Sequence, residues 1–204
     1  MKTEKKKPRR NSPVSTAGRA ARIKFLSMEE IKALLNSISN RRDKAIFLLA
    51  YRYGLRASEA GLLTRDDVKM TQRKIFIHRL KGSISKEYSL QADEVRTLRL
   101  YFNARENPSP LLFPSAWNEP ISRPMLYKLM QRYGEDAGIP KGKRKFTVLK
   151  HSIATHLLEA GADLKFVQEW LGHVQIQNTM IYAELVSPAR DKKARELFIK
   201  LPRF

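Results

Sequence analysis

The 204-residue chain contains no cysteine, which rules out a disulfide framework and any thiolate metal site. Histidine is scarce. His78, His151, His156 and His173 are the whole set, and none has Glu-x-x-His or His-x-x-x-His spacing with a carboxylate third partner. His151 and His156 fall on different faces of a helix. No metal site and no cofactor is predicted. No apolar run approaches the length that spans a bilayer, so no membrane partner is expected. The opening MKTEKKKPRRNSP carries positive charge with no apolar stretch behind it and does not read as a secretory signal. A cytoplasmic location is the default. Acid is also in short supply: 20 Asp and Glu stand against 40 Lys and Arg, a formal net charge of +20. An excess of that size predicts attraction to a polyanion, with nucleic acid the leading candidate.

Three parts are expected along the chain. Residues 1–24 hold Lys5, Lys6, Lys7, Arg9 and Arg10 among other basic residues, with Pro8, Pro13 and Gly18 breaking any periodicity. This reads as a flexible basic arm that contacts phosphates without reading sequence. Residues 25–187 read as one domain, and 188–204 as a C-terminal helix and tail. Ser27-Met28-Glu29-Glu30 is a capping box, followed by helical spacing through Met28, Ile31, Leu34, Leu35 and Ile38. Arg42 to Tyr53 is apolar almost all round and is expected to be a buried helix closed by Gly54. A short helix follows from Ser58 to Leu63.

The period changes over residues 67–90. Lys74 to Arg79 alternates, Lys86 to Leu90 is its partner, Val68 to Met70 is a third strand, and Lys81-Gly82-Ser83 is the turn. Helix returns at Ala92–Asn103, with Val95, Leu98, Tyr101 and Phe102 inward, and again after Ser122 and Pro124 in a helix carrying Met125, Leu129, Met130 and Tyr133. Further helices are expected at Thr147–Ala160, Asp163–Leu171, Thr179–Val186 and Pro188–Lys200. The loop KGKRK, with Lys141, Lys143, Arg144 and Lys145, is the densest basic run outside the arm and a candidate DNA contact. The fold class is mainly α with a small antiparallel β-sheet (α+β).

Four separated pieces carry chemistry. Gly54-Leu55-Arg56-Ala57-Ser58-Glu59 places an arginine just after the buried helix. Leu80-Lys81-Gly82 places a lysine at a hairpin tip. Thr147-Val148-Leu149-Lys150-His151 opens a helix. Leu171-Gly172-His173 closes another, with Tyr182 beyond it. Attack on a phosphodiester builds charge on the non-bridging oxygens, and fixed cations aimed there stabilise it. A tyrosine reaching such a site is placed to act as the nucleophile. Each piece also has a plainer reading. Arg56 can pair with Glu59 one helical turn away. Lys81 can be an ordinary turn residue, His173 a helix-end histidine satisfied by the dipole, and Tyr182 a core aromatic.

Together, in this order, the four pieces resemble the catalytic domain of the tyrosine site-specific recombinases, the phage integrase family. The resemblance covers about Phe25 to Ala194. Its most specific part is Ala154–Asp163, ATHLLEAGAD, leading into Leu-Gly-His and the tyrosine. It implies strand cleavage by Tyr182 through a 3′-phosphotyrosyl intermediate, with Arg56, Lys81, Lys150 and His173 around the phosphate. Lys81 then protonates the leaving 5′-oxygen, and His173 hydrogen-bonds the phosphate. It further implies double-stranded DNA as partner, a homo-tetramer on DNA, a C-terminal segment docked on a neighbouring subunit, and DNA integration, excision or inversion without metal or nucleotide.

Two positions depart from the family's pattern. Where the motif is His-x-x-Arg, this chain has Thr147 and Lys150. Lysine keeps the charge but loses the bidentate fork. Thr147 can cap the helix but cannot shuttle a proton. His151 next door is an accessory candidate, pointing about 100° away round the helix. No counterpart of the family's N-terminal helical domain is expected within these residues, which fits either a short fimbrial-switch-type member or a fragment of a longer protein. A DNA-binding protein of this fold that no longer cuts, a type IB topoisomerase and a basic architectural protein are the competing readings.

Overall fold

A computed structural model describes residues 23–80, 82–185 and 199. The arm residues Lys5, Lys6, Lys7, Arg9 and Arg10, the hairpin Lys81, and the predicted helix over 188–200 apart from Ile199 lie outside the described residues.

Helix α1, Met28–Ser37, starts at the predicted capping box. The Ser27 hydroxyl accepts from the Glu30 amide at 3.2 Å, and the Glu30 carboxylate accepts from the Ser27 amide at 2.7 Å. A cap of this kind contributes about 1 kcal/mol. Helix α2, Arg41–Tyr53, is the centre of the molecule. Ala45 to Tyr51 and Tyr53 are all buried, and the Phe47 ring meets Tyr133 and Phe146 edge-on. Truncating such a buried phenylalanine typically costs about 3–5 kcal/mol. Gly54 ends α2 in the left-handed region, φ 58°.

Helix α3 spans Ala57–Leu62. Strands β1 (Val68–Lys69), β2 (Lys74–Ile77) and β3 (Lys86–Ser89) form one antiparallel sheet in the order β1-β2-β3, with Ile75 opposite Tyr88 and Ile77 opposite Lys86. The strands are shorter than the alternation suggests. Past Ile77 the pairing partner turns away, so His78 and Arg79 leave the ladder. Helix α4, Ala92–Asn103, packs on α2.

Helix α5, Arg123–Asp136, is capped by Ser122 with Pro124 in its first turn. Met125 is exposed, because it lies off the stripe of Leu126, Leu129, Met130 and Tyr133 that faces the core. Lys141–Lys143 is a single 3₁₀ turn. Helix α6, Thr147–Glu159, is the second buried helix and packs along α2. Its first turn corrects one expectation. Phe146 occupies the N-cap position, no side chain caps the helix, and Thr147 is exposed.

Helices α7, Leu164–Trp170, and α8, Gln177–Ala183, complete the described chain. Asp163 caps α7, its side chain accepting from the Phe166 amide at 2.7 Å. Helix α8 begins two residues earlier than the apolar pattern indicates. The architecture is mainly α with one small antiparallel sheet at the edge. No helix among the described residues is long and apolar enough to cross a membrane.

Candidate active site

The end of α2 explains how the site is assembled. A Cβ at Gly54 would meet Leu171 Cδ2 at 2.6 Å and Lys150 Cγ at 3.3 Å. Glycine therefore serves twice there, permitting the left-handed turn and admitting the Lys150 stem against the backbone. The chain that leaves the turn carries Arg56 at the N-cap position of α3. Three residues on, Glu59 is fully buried and reaches back. Its carboxylate accepts from the Arg56 amide at 2.9 Å and from Arg56 Nη1 at 2.6 Å. The pairing read as an alternative to catalysis is thus present. It does not consume the arginine, whose side chain stays about a third exposed (31%) while the carboxylate side chain has none. The carboxylate anchors the guanidinium from behind and leaves its outer edge towards solvent.

Burial pushes the Glu59 carboxyl up, but the hydrogen bonds from Arg56 and the charges of Arg79 and Arg56 outweigh it. The group ends below the ordinary carboxylate range and stays ionised.

Arg56, Gly82, Ser83, His173, Val174, Gln175, Asn178 and Tyr182 line one open cleft of about 540 Å³. Three of the predicted residues, Arg56, His173 and Tyr182, therefore share a wall. Lys150 lies behind it, buried on α6, and its Nζ has no hydrogen-bond partner among the described residues. Burial, then the charges of Arg56 and Arg79, bring its amine down to about 7. A buried amine whose charged form is disfavoured by burial and by the Arg56 and Arg79 charges would regain its charge against an anion.

His173 follows Gly172, which has φ 68°. Its Nδ1 lies 2.9 Å from the Thr179 hydroxyl, so Nε2 is the nitrogen left for a ligand. Burial, then Lys150, Arg56 and Arg79, lower its pKa to about 3, and the ring is neutral at pH 7. Tyr182 is buried, and its hydroxyl lies 2.9 Å from His151 Nδ1. Burial raises the phenol, with Arg56 opposing. Burial and Lys150 hold His151 at about 4, so this ring is neutral as well. Rotation by one residue from Lys150 turns His151 away from the cations and towards the tyrosine.

Thr147 is not among the residues lining the cleft. In the KGKRK loop, Lys141 and Lys145 are exposed, but two of the basic groups are already engaged. Lys143 Nζ pairs with the Glu30 carboxylate at 2.7 Å. Arg144 donates from Nε to the Ile139 carbonyl at 2.7 Å and pairs with Glu135 at 3.2 Å. Two residues of the site are absent from the sequence-based set. Glu59 appears there only as a salt-bridge partner, and Arg79 only as a strand end. Arg79 is buried, 3.3 Å from the Glu59 carboxylate. Its signal was the period of two: Ile75 and Ile77 face inward, and Arg79 continues their side.

Residues 24–187 match the family model described as the phage integrase family. The chain belongs to the phage integrase family. Among curated members, it is 35% identical over 178 residues to tyrosine recombinase XerA of Thermococcus kodakarensis, covering 85% of this chain and 62% of the relative. The crystal structure of XerA recombinase superposes with TM-score 0.73 at 26% identity, covering 89% of this chain and 66% of that one. The catalytic domain of bacteriophage HP1 integrase superposes with TM-score 0.59 at 26% identity, covering 85% and 94%. This integrase-family chain thus spans under two thirds of the length of XerA, and its likeness to the HP1 protein is to a catalytic domain.

Proposed function

We propose that this chain is a metal-independent site-specific DNA recombinase that cleaves and rejoins strands through Tyr182. The observation that carries the reading is the shared cleft of Arg56, His173 and Tyr182, backed by the unpaired Lys150 amine. The names of its relatives support it. In the proposed step, the Tyr182 oxygen attacks the phosphorus and forms the new P–O bond. The P–O5′ bond breaks, and the phenolic proton passes to a base. His151 is the nearest imidazole, neutral and already hydrogen-bonded to the hydroxyl.

Arg56 and Lys150 balance charge on the non-bridging oxygens, and a neutral His173 donates one hydrogen bond from Nε2. Lys81 is proposed to give its proton to the leaving 5′-oxygen. Attack by a 5′-hydroxyl on the phosphotyrosyl link reverses the sequence and regenerates Tyr182. Energy is held in the covalent link, so no nucleotide is consumed. Lys141 and Lys145, with Lys5, Lys6, Lys7, Arg9 and Arg10 of the arm, supply phosphate contacts that weaken with salt. Residues 25–187 are proposed as the catalytic domain, with assembly as a tetramer on DNA and the segment 188–204 docked on a neighbouring subunit.

The buried Tyr182 favours a second reading, DNA binding without cleavage. One experiment separates the two. The protein is incubated with a pool of nicked duplexes of random sequence, and covalent protein–DNA adducts are resolved under denaturing conditions. An adduct that Tyr182→Phe abolishes, with DNA affinity retained, supports the recombinase. Equal retention of DNA by both proteins, with no adduct from either, sinks it.

A further inference from the structure

Arg79 is a buried charge that the proposed chemistry leaves unused. Its side chain has no solvent exposure. One terminal nitrogen, Nη2, donates to the Tyr53 carbonyl at 2.6 Å, the Trp170 carbonyl at 3.2 Å and the Tyr88 hydroxyl at 3.4 Å. The other, Nη1, lies 3.3 Å from both the Gly54 carbonyl and the Glu59 carboxylate. Its Nε is buried without a hydrogen-bond partner among the described residues.

The identity of these acceptors is the informative point. Tyr53 and Gly54 close α2, and Trp170 closes α7. The last carbonyls of a helix have no acceptance partner within it, and cations are favoured there. One guanidinium therefore caps two helix ends at once. Each end leads directly into a site residue. Arg56 is three positions after Tyr53, and His173 three after Trp170.

The third segment is the hairpin that carries Arg79 itself. The Arg79 amide donates to the Ser85 hydroxyl at 2.9 Å, and the Leu80 amide donates to Glu59 at 3.2 Å. The Ile84 amide donates to the Gly172 carbonyl at 2.9 Å. A Cβ at Gly172 would meet the Ile84 carbonyl at 2.6 Å and Arg79 Cγ at 3.2 Å, so the Gly172-His173 turn rests on this side chain.

We propose that Arg79 is a positioning residue that sets the mutual placement of Arg56, His173 and the β2–β3 hairpin from behind the cleft, without touching DNA. The inference rests on the recombinase reading for its function but on the guanidinium contacts for its geometry. A lysine at this position keeps the charge and loses the fork. An ammonium cannot bridge acceptors on both sides of a planar group, so the two helix ends lose their common tie. A misplacement of about 1 Å in such a site can cost about 10²-fold in rate.

The test compares the wild-type chain with Arg79→Lys and with the double variant Arg79→Met, Glu59→Gln, which removes both buried charges together. Folding is checked by circular dichroism and thermal melting. Two readouts follow. The first is adduct formation on the nicked random duplexes, with DNA affinity measured in parallel. The expected result for Arg79→Lys is a fall in adduct rate of about 10²-fold with affinity within about 2-fold.

The second readout needs no DNA. The His173 ring is titrated by NMR, and the loosened turn is expected to raise its pKa from about 3 by about one unit or more. The double variant is expected to show both effects. Wild-type adduct rate and an unmoved His173 in either folded variant overturn the proposal. A shifted His173 in a chain whose wild type forms no adduct leaves the positioning role standing and removes the recombinase reading instead. Failure of both variants to fold would also overturn it, since Arg79 would then support the whole fold rather than the site.

Discussion

His151 Nδ1 and the Tyr182 hydroxyl lie 2.9 Å apart, with the two rings tilted at 47°. The contact links α6 to α8 and seats the proposed nucleophile in the interior. It also pairs a phenol with a neutral imidazole, the arrangement in which a proton can leave the attacking oxygen.

His151→Ala is predicted to lower adduct formation by about 10²-fold while leaving DNA affinity unchanged, as expected on losing a general base. The rate is measured on nicked duplexes under single-turnover conditions. A rate at or above wild type would show that the hydrogen bond only restrains Tyr182.

As a proposed phosphate ligand, Lys150 is predicted to make phosphate binding sensitive to pH. In the free site its amine sits at about 7 because of burial and the charges of Arg56 and Arg79, with Glu59 opposing. It is charged below that value and increasingly neutral above it. Affinity of the site for a phosphate is therefore predicted to be level below pH 7 and to fall above it. Lys150→Arg keeps the charge at all these pH values. The variant should flatten the profile, as measured by adduct formation from pH 6 to 9. Parallel profiles would remove Lys150 from the phosphate site.

The same group contributes to stability with a definite sign. Its folded pKa lies below the ordinary value of 10.5, so between about 7 and 10.5 the unfolded chain binds more protons. Stability is predicted to rise with pH across that window. His151 and His173 are also depressed, to about 4 and about 3 from 6.5. They add stability that is full above pH 6.5 and is lost as pH falls through their folded values. Urea unfolding from pH 4 to 10 tests both windows. Lys150→Met removes the unpaired buried amine and is expected to stabilise at pH 7 while flattening the upper window. A less stable Lys150→Met would count against the burial cost.

Glu59→Gln is predicted to lower adduct formation by roughly 10²–10³-fold, because Arg56 loses the anion that aims it. It should also destabilise the fold by about 3–5 kcal/mol, since Arg79 is left buried without its charge partner. Chemical denaturation and the adduct assay measure the two effects. Wild-type values in both would show that the carboxylate is dispensable.

How much could be read without coordinates differs from element to element. The capping box at Ser27, the buried helix ending at Gly54 and the helix Ala92–Asn103 follow from local rules, because caps, left-handed glycines and apolar periodicity act over a few residues. Ile75 and Ile77 likewise mark the sheet face. The ends of the strands do not follow, because they depend on where the partner strand turns away. Nor does the exposure of Met125, which depends on which stripe of α5 packs against α1 and α3.

The site divides along the same line. Residue order and type by themselves determined the family and proposed Arg56, Lys81, Lys150, His173 and Tyr182, since chemistry is carried by the side chains. Only the tertiary structure decided that Lys150 is buried without a hydrogen-bond partner among the described residues, that Tyr182 rests on His151, and that Arg79 joins two helix ends behind Arg56 and His173. These facts depend on distances between α2, α6, α7, α8 and the hairpin. Burial and neighbouring charge, which set a protonation state, are properties of that packing rather than of any short stretch of chain.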